Sequence, residues 1–145
     1  MRRAAPINVS DALAMALGAH PSAAYLARDI LAIFDTEAEI RALRPNFTLI
    51  EGLDAFAVAV SAPGTEVDFV SRFFAPRAGV REDPVTGSVH CSLVPYWAAR
   101  LGKTKLTARQ LSSRMGELDC ELRGDRVALA GGTVEYLRGE INVPG

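Results

Sequence analysis

Short apolar runs, separated by capping and turn residues, make up the first part of the chain. Ser10 precedes an apolar run that ends at Gly18, which predicts a helix with a serine cap and a glycine stop. Residues 25–34 are apolar with a β-forming composition, and the polar pair Arg28-Asp29 interrupts them. This interruption favours a small hairpin after the first helix.

A capping box marks the next helix. Thr36 is followed three residues later by Glu39, so we predict a helix over residues 37–43 that ends before a proline. Asn46 is placed to cap a further short helix, which extends through residue 53. Two predicted strands follow, over residues 56–62 and 67–74, with a turn at Pro63-Gly64 between them.

Residues 87–101 are rich in helix formers, are apolar on most faces and are followed by Gly102. A helix that is apolar nearly all round belongs inside the molecule, and Pro95 should bend it. Residues 105–141 indicate three or four strands with turns at 115–116, 124–125 and 131–132. The pattern predicts an α+β fold, in which a curved, mixed but antiparallel-rich sheet wraps around one central buried helix.

Bulk composition narrows the class of protein. The 145 residues fit one domain, residues 1–145, and the net charge of −1 comes without a basic stripe, so no nucleic-acid partner is expected. No apolar run reaches the roughly 18–20 residues that span a membrane, and polar residues interrupt any signal-peptide core. The two cysteines form no CxxC pair and show no metal-ligand spacing with the histidines. We therefore expect a cytoplasmic protein with no metal site.

The polar segment from Glu82 to His90 is the strongest candidate for chemistry, because it joins a predicted strand to the predicted buried helix. Thr86, Gly87 and Ser88 lie where that helix begins, and free N–H groups at a helix start favour an anion such as a carboxylate. Asp83 would serve as acid or base if an apolar pocket shifted its titration toward neutrality. The alternative is that Thr86 or Ser88 only caps the helix while the acidic residues are solvated.

Several segments together match a family signature. They are DFVSRFFAP at 68–76, Gly79-Val80, EDPVTGSVH at 82–90, Leu101-Gly102-Lys103, Gln110 with 112–116, and Arg126 to Leu129. In these segments, which cover most of the chain from Asp68 onward, the sequence resembles the phenazine-biosynthesis PhzF-like family. Met115 departs from the pattern, because the family usually has a second glycine there.

The resemblance implies a fold and a style of chemistry. Family members are two-domain enzymes of the diaminopimelate-epimerase fold, in which two similar halves each wrap a sheet around a central helix and the active site lies between them. They move protons without metal or organic cofactor, and the named member isomerises dihydro-hydroxyanthranilic acid. This chain resembles only the C-terminal half, so the resemblance implies a single half-barrel, that is, one sheet around one helix.

The family's site residues carry over only in part. The resemblance assigns catalytic roles to Asp83 and Ser88 and places Gly87 and Ser88 against a small carboxylate substrate, with Thr86 and His90 as further binding candidates. The family's principal catalytic glutamate belongs to the other half, and nothing in this sequence resembles it. A second lobe is therefore expected, from a homodimer or from a separate N-terminal-half chain.

Other polar residues have two interpretations each. His90 is either a proton shuttle or a hydrogen-bonded core histidine, and Cys91 is either a nucleophile or a packing residue. Arg72 and Arg77 would receive a carboxylate or serve as structural ion-pair partners. Three functions stay open at this point: an isomerase that needs a second lobe, a silent half that at most binds a small acid, and a structural dimerisation module.

Overall fold

The structure is a computed structural model and describes residues 4–142. Its helices are α1 (Asp11–Leu17), α2 (Glu37–Ala42), α3 (Phe47–Glu51) and α4 (Gly87–Leu101), with a 3-10 turn at Pro76–Ala78. Its strands are β1 (Ala5–Ile7), β2 (Ala23–Leu26), β3 (Ile30–Ile33), β4 (Val58–Pro63), β5 (Phe69–Phe74), β6 (Lys105–Gln110), β7 (Gly116–Arg123) and β8 (Arg126–Ala130).

All eight strands form one mixed sheet in the order β1 to β8, so each strand lies beside its neighbours in sequence. The pairs β3–β4 and β5–β6 are parallel, and the other five pairs are antiparallel. A parallel pair needs a crossover connection, which α2 and α3 provide for the first pair and α4 for the second. The strand order begins at β1 and ends at β8, so the sheet is open. This architecture confirms the predicted α+β class.

Alternating side chains of the central strands build two cores, one on each face of the sheet. The face that carries Val58, Val60 and Val70 packs against α1, α2 and α3. The opposite face carries Ala59 and Phe69 and packs against α4 and against β6 and β7. Because side chains of a strand point alternately to the two faces, one apolar run serves both cores.

Helix α4 contributes its larger side chains to the second core. Its buried residues are Val89, His90, Leu93, Val94, Trp97 and Ala98. Trp97 is 1% exposed, and its ring stacks on that of Phe69 with the centroids 5.9 Å apart. The Trp97 indole N–H donates to the hydroxyl of Ser61 at 2.9 Å, so its only polar atom is satisfied. This packing fixes α4 against the middle of the sheet.

The predicted helix ends agree with the observed caps. The Ser10 hydroxyl accepts from the Leu13 N–H at 3.2 Å, and Gly18 takes a left-handed φ of 75°. At α2, Thr36 and Glu39 make both bonds of the capping box. The predicted strands and hairpins are also found, with boundaries that differ by one to three residues, as is usual for fraying ends.

Two features are more specific in the structure than in the prediction. Helix α4 packs into the core on one side, while Ser88, Cys91 and Ala99 on its other side are exposed. Of the three or four strands predicted after residue 105, three are present, and residues 131–142 have no regular secondary structure and are exposed. The short edge strand β1 has no periodic signal in three residues that include a proline, and sequence analysis did not find it.

Neither a membrane span nor a metal cluster is found within residues 4–142. Every helix there falls short of the length and apolar character that a membrane crossing requires. No group of three or more His, Cys, Asp and Glu side chains in this range is placed to hold a metal ion. Cys91 and Cys120 are free thiols, the first exposed and the second buried.

If α4 anchors the second core, truncation of its buried side chains should be costly. Leu93 is 0% exposed, so we expect Leu93→Ala to lower the free energy of unfolding by about 2–5 kcal/mol. Leu101 belongs to the same helix but is 41% exposed, so Leu101→Ala should cost less than about 1 kcal/mol. Urea unfolding of the two variants measures the difference, and equal losses would contradict this account of the core.

Candidate functional site

The loop of residues 81–86, which joins β5 to α4, is held in place by bonds from four directions. The Asp83 N–H donates to the Phe73 carbonyl at 3.0 Å, which ties the loop to the end of β5. The Ser112 hydroxyl donates to the Pro84 carbonyl at 2.9 Å from the loop after β6. The other two anchors are an ion pair of Glu82 and the side chain of Gln110. A loop held so tightly presents its side chains in fixed positions.

Glu82 and Arg72 form that ion pair, which has a structural role. The guanidinium of Arg72 donates to both carboxylate oxygens of Glu82, at 2.7 and 3.0 Å. Its third nitrogen donates to the carbonyls of Ile40 and Leu43, at 3.1 and 3.3 Å. Arg72 thus links α2, β5 and the loop. Of the two interpretations of Arg72, the structural one agrees with its position.

Arg77 also has a structural contact. Its guanidinium Nε–H donates to the Glu51 carbonyl at 2.8 Å, at the end of α3. Within the described residues, neither Arg72 nor Arg77 bonds to the start of α4.

Asp83, Thr86 and Gln110 form a polar network beneath the loop. The Thr86 hydroxyl donates to the Asp83 carboxylate at 2.5 Å. The Gln110 amide nitrogen donates to the Asp83 carbonyl at 2.7 Å and to the Thr86 hydroxyl at 3.2 Å. The Gln110 carbonyl accepts from the Thr86 N–H at 2.9 Å. The network fixes one carboxylate oxygen of Asp83, while the other has no hydrogen-bond partner among the described residues.

This network leaves the start of α4 without a side-chain cap. Thr86 is the N-cap residue, yet its hydroxyl bonds to Asp83 and makes no cap hydrogen bond. The first N–H groups of a helix have no partner within the helix, so at α4 they remain available to an anion. Sequence analysis left open whether Thr86 caps this helix, and the structure shows that it does not.

Gly87 and Ser88 are exposed at this uncapped start. A side chain at position 87 would meet only Leu129, at 3.8 Å, so the space above Gly87 is open. The Ser88 hydroxyl faces solvent and accepts a long contact of 3.4 Å from the guanidinium of Arg28. The two positions therefore offer free N–H groups, a hydroxyl and room for a ligand.

Arg28, which sequence analysis did not assign to the site, comes from the β2–β3 turn. It pairs with Asp29 through two bonds of 3.0 and 2.9 Å, and Asp29 is 6% exposed. Its guanidinium lies 4.9 Å from the ring centroid of Phe56. The only sequence signal was the polar pair within an apolar hairpin, and the sheet brings this pair to Ser88, 60 residues later.

His90 lies behind the helix start and is 0% exposed. Its Nδ1 donates to the Thr86 carbonyl at 2.7 Å, while its Nε2 has no hydrogen-bond partner within residues 4–142. The ring is 5.8 Å from that of Phe69. Burial lowers the pKa of His90 from its ordinary value of 6.5, and the Thr86 carbonyl opposes this shift only in part. Its position is that of a hydrogen-bonded core histidine, one of the two interpretations of the sequence.

The two cysteines have different surroundings. Cys91 is exposed on α4, three residues after Ser88, and therefore lies on nearly the same face of the helix. Cys120 is buried, and that burial raises the pKa of its thiol to about 11. A thiol with such a pKa is protonated near neutral pH and is a poor nucleophile. Cys120 is therefore a core residue.

The turn before β7 supports the loop through a close contact. A Cβ at Gly116 would lie 2.0 Å from a methyl carbon of Val85, so any larger residue there would have to displace that side chain. Met115 has a φ of 52°, in the left-handed region that favours glycine. Its N–H donates to the carbonyl and the hydroxyl of Ser112, both at 3.1 Å. These bonds keep the turn in the conformation that a glycine would adopt more easily.

The site is an open surface. The two largest cavities that we describe, of about 680 and 600 Å³, are lined by residues other than 82–90. One lies over β6 to β8, and the other lies near the end of α4. Asp83, Gly87 and Ser88 line neither of these cavities, and we call the surface that they form the wall of the site.

The fold and the site together define a class of protein. It is an α+β protein in which an open mixed sheet curves around one helix, with a carboxylate, a hydroxyl and free N–H groups at the helix start. The sequence profile of the family described as phenazine biosynthesis-like protein matches residues 4–139. The chain belongs to this family.

Relatives and solved structures agree with this assignment. Uncharacterized isomerase PA2770 of Pseudomonas aeruginosa is 45% identical over 142 residues, which are 98% of this chain and 55% of that protein. A phenazine biosynthesis protein of the PhzF family from Enterococcus faecalis has a TM-score of 0.87 and 41% identity, over 90% of this chain and 50% of that one. A PhzC/PhzF protein from Clostridium difficile also has a TM-score of 0.87, with 38% identity over 97% and 55% of the two chains.

The chain spans about half the length of these relatives.

The buried His90 should make stability depend on pH. Because its pKa is lowered in the folded state, the unfolded chain binds the proton more readily, and the free energy of unfolding should fall as pH falls below about 6.5. The slope from one proton is at most about 1.4 kcal/mol per pH unit. His90→Gln should reduce the loss between pH 7 and pH 5.5 in urea unfolding. An unchanged slope in this variant would show that other groups cause the pH dependence.

Proposed function

We propose that this chain is the C-terminal lobe of a two-lobed, PhzF-like isomerase in the cytoplasm, which moves a proton on a small carboxylated substrate without a cofactor. The observation that carries the proposal is the uncapped start of α4 beside a fixed aspartate, in a family whose relatives are named isomerases. Dihydroaromatic acids and amino-acid-like acids are the substrate classes that the resemblance suggests.

The site residues have distinct roles in this proposal. The substrate carboxylate binds at the free N–H groups of α4, where Gly87 leaves room and the Ser88 hydroxyl donates a further bond. Asp83 gives a proton to the substrate or takes one from it with the carboxylate oxygen that Thr86 does not occupy. His90 is buried behind Thr86 and supports the helix start, so in this proposal it does not contact the substrate.

Isomerisation by proton transfer removes a proton at one atom and adds one at another. Asp83 serves one of these steps, and the other step needs an acid–base group from the second lobe. A second lobe would also exclude water, which strengthens the electrostatic contacts inside the site. The open position of Asp83 and Ser88 supports this requirement.

The end of the chain offers a surface for a second lobe. Val134, Tyr136, Leu137 and Ile141 are 82–99% exposed in a segment without regular secondary structure. A soluble monomer rarely leaves so much apolar surface uncovered. The second lobe would come from a second copy of the chain or from a separate chain that supplies the other half.

The central test is solvent exchange. Candidate dihydroaromatic acids and amino acids are incubated with the protein in D₂O, and mass spectrometry measures the deuterium that they take up. We expect Asp83→Asn to reduce exchange by about 10²–10⁴-fold, since this is the usual contribution of a general acid or base. Asp125→Asn is the matched control, because Asp125 lies in the exposed β7–β8 turn. Equal exchange in wild type and Asp83→Asn would refute the role of Asp83.

A silent half-domain is the second candidate, favoured by the exposure of Gly87 and Ser88 at the start of α4. Such a protein would bind a small carboxylate at Ser88 and exchange no deuterium. Benzoate is a suitable probe, and loss of its binding in Ser88→Ala without any exchange in wild type would support this candidate. A purely structural dimerisation module would bind no acid at all.

Sedimentation velocity tests the second-lobe proposal. If two copies combine through the exposed end segment, the wild-type chain should associate with increasing concentration, and the double substitution Tyr136→Ser and Leu137→Ser should leave a monomer. Leu49→Ser, at an exposed apolar residue of α3, is the control and should associate like wild type. A wild-type chain that stays monomeric would rule out the second copy and leave a separate chain as the source of the second lobe.

A further inference from the structure

Gln110 is a polar residue in an apolar row. It ends β6, where Leu106 and Ala108 point into the same core, and it is 0% exposed. A buried amide without partners would cost free energy, and hydrogen bonds must compensate for its removal from water. All of its bonds within the described residues go to Asp83 and Thr86, the two residues at the base of the candidate site.

The contacts of Gln110 determine its orientation. Its carbonyl accepts the Thr86 N–H at 2.9 Å, so its amino group is the end that faces the Asp83 carbonyl, at 2.7 Å. The reverse orientation would set a donor against the Thr86 N–H and an acceptor against the Asp83 carbonyl. Gln110 therefore clamps both ends of the four-residue stretch from Asp83 to Thr86.

The same clamp controls the Thr86 hydroxyl. The Gln110 amide nitrogen also donates to the Thr86 hydroxyl oxygen, 3.2 Å away. Because the oxygen accepts this bond, its own proton is directed to the Asp83 carboxylate, at an O–O distance of 2.5 Å. A hydroxyl in this state cannot turn to cap α4. Without Gln110, Thr86 would be free to take the usual role of a threonine at an N-cap and to accept a bond from the first turn of the helix.

We propose that Gln110 is a positioning residue, which holds Asp83 in place and keeps the start of α4 uncapped by fixing Thr86. This inference rests on the proposed function, because the carboxylate and the helix start are the groups that it positions. Gln110 itself touches no substrate. Its effect on catalysis is transmitted through two hydrogen-bonded residues, and small displacements of catalytic groups lower rates strongly.

Two substitutions separate this role from simple core filling. Gln110→Met keeps the size of the side chain and removes every hydrogen bond. Gln110→Glu is nearly isosteric with the amide. Its carboxyl group, when protonated, can donate to the Asp83 carbonyl and accept from the Thr86 N–H, whereas the ionised form keeps only the bond from the Thr86 N–H. Burial favours the neutral form of such a group, so a change of pH makes and breaks the bond to the Asp83 carbonyl.

The expected results differ for the two variants. Gln110→Met should lower the exchange rate by about 10- to 100-fold at every pH. Gln110→Glu should also be slower than wild type at high pH, where the bond to the Asp83 carbonyl is lost, and should recover toward wild type as pH falls. Asp83 and His90 are the titratable groups that contact Thr86, and both are present in every variant, so each variant is compared with wild type at the same pH.

Ser61→Ala is the control for a general loss of packing. Ser61 is 0% exposed and bonds to Val70 and Trp97, away from the loop. This variant should lower the melting temperature and keep the exchange rate of wild type. Wild-type exchange in Gln110→Met, or a Gln110→Glu profile parallel to that of wild type, would overturn the proposal.

A second measurement applies if the wild-type chain exchanges no deuterium with any acid. The amide NMR signals of Gly87 and Ser88 report directly on the helix start. If Gln110→Met shifts these signals and the Gln110→Glu signals return to the wild-type positions at low pH, Gln110 positions the site although the proposed function fails. If the signals of Gly87 and Ser88 are unchanged in Gln110→Met, Gln110 does not position the helix start.

Discussion

Burial of one face of α4 against the sheet is the constraint on which the rest of the structure depends. Trp97 and Leu93 fill the second core, and the parallel pairing of β5 with β6 is possible only because α4 crosses between them. The position of the helix therefore also fixes where its first residues lie. The loop before α4 must end over β6, and this places Thr86 above Gln110. Fold and site are in this way products of the same packing.

The start of α4 is unusual because the hydroxyl of its N-cap threonine bonds to the Asp83 carboxylate and not to an N–H group of the helix. A threonine at an N-cap normally satisfies one of the free N–H groups, but Thr86 directs its hydroxyl to Asp83. The molecule thus leaves the positive end of a 15-residue helix open beside an acid. The proposed anion binding and proton transfer both depend on this arrangement.

The proposed second lobe would account for several features of the described residues. Gly87 and Ser88 are exposed at the start of α4, the sheet is open, and the apolar side chains after Gly132 are exposed. The relatives that resemble this chain are about twice as long. Burial of the exposed apolar side chains would be one source of free energy for the association that we propose.

Local signals in the sequence determined the helix caps at Ser10 and Thr36, the hairpins and the loop from 82 to 86, because each depends on residues that are close along the chain. The segment that carries Asp83, Gly87 and Ser88 was equally visible in the sequence. Only the tertiary structure brought Gln110 and Arg28 to that segment and decided that Thr86 does not cap α4. Contacts over 24 and 60 residues leave no local pattern, since they depend on how the sheet curves around the helix.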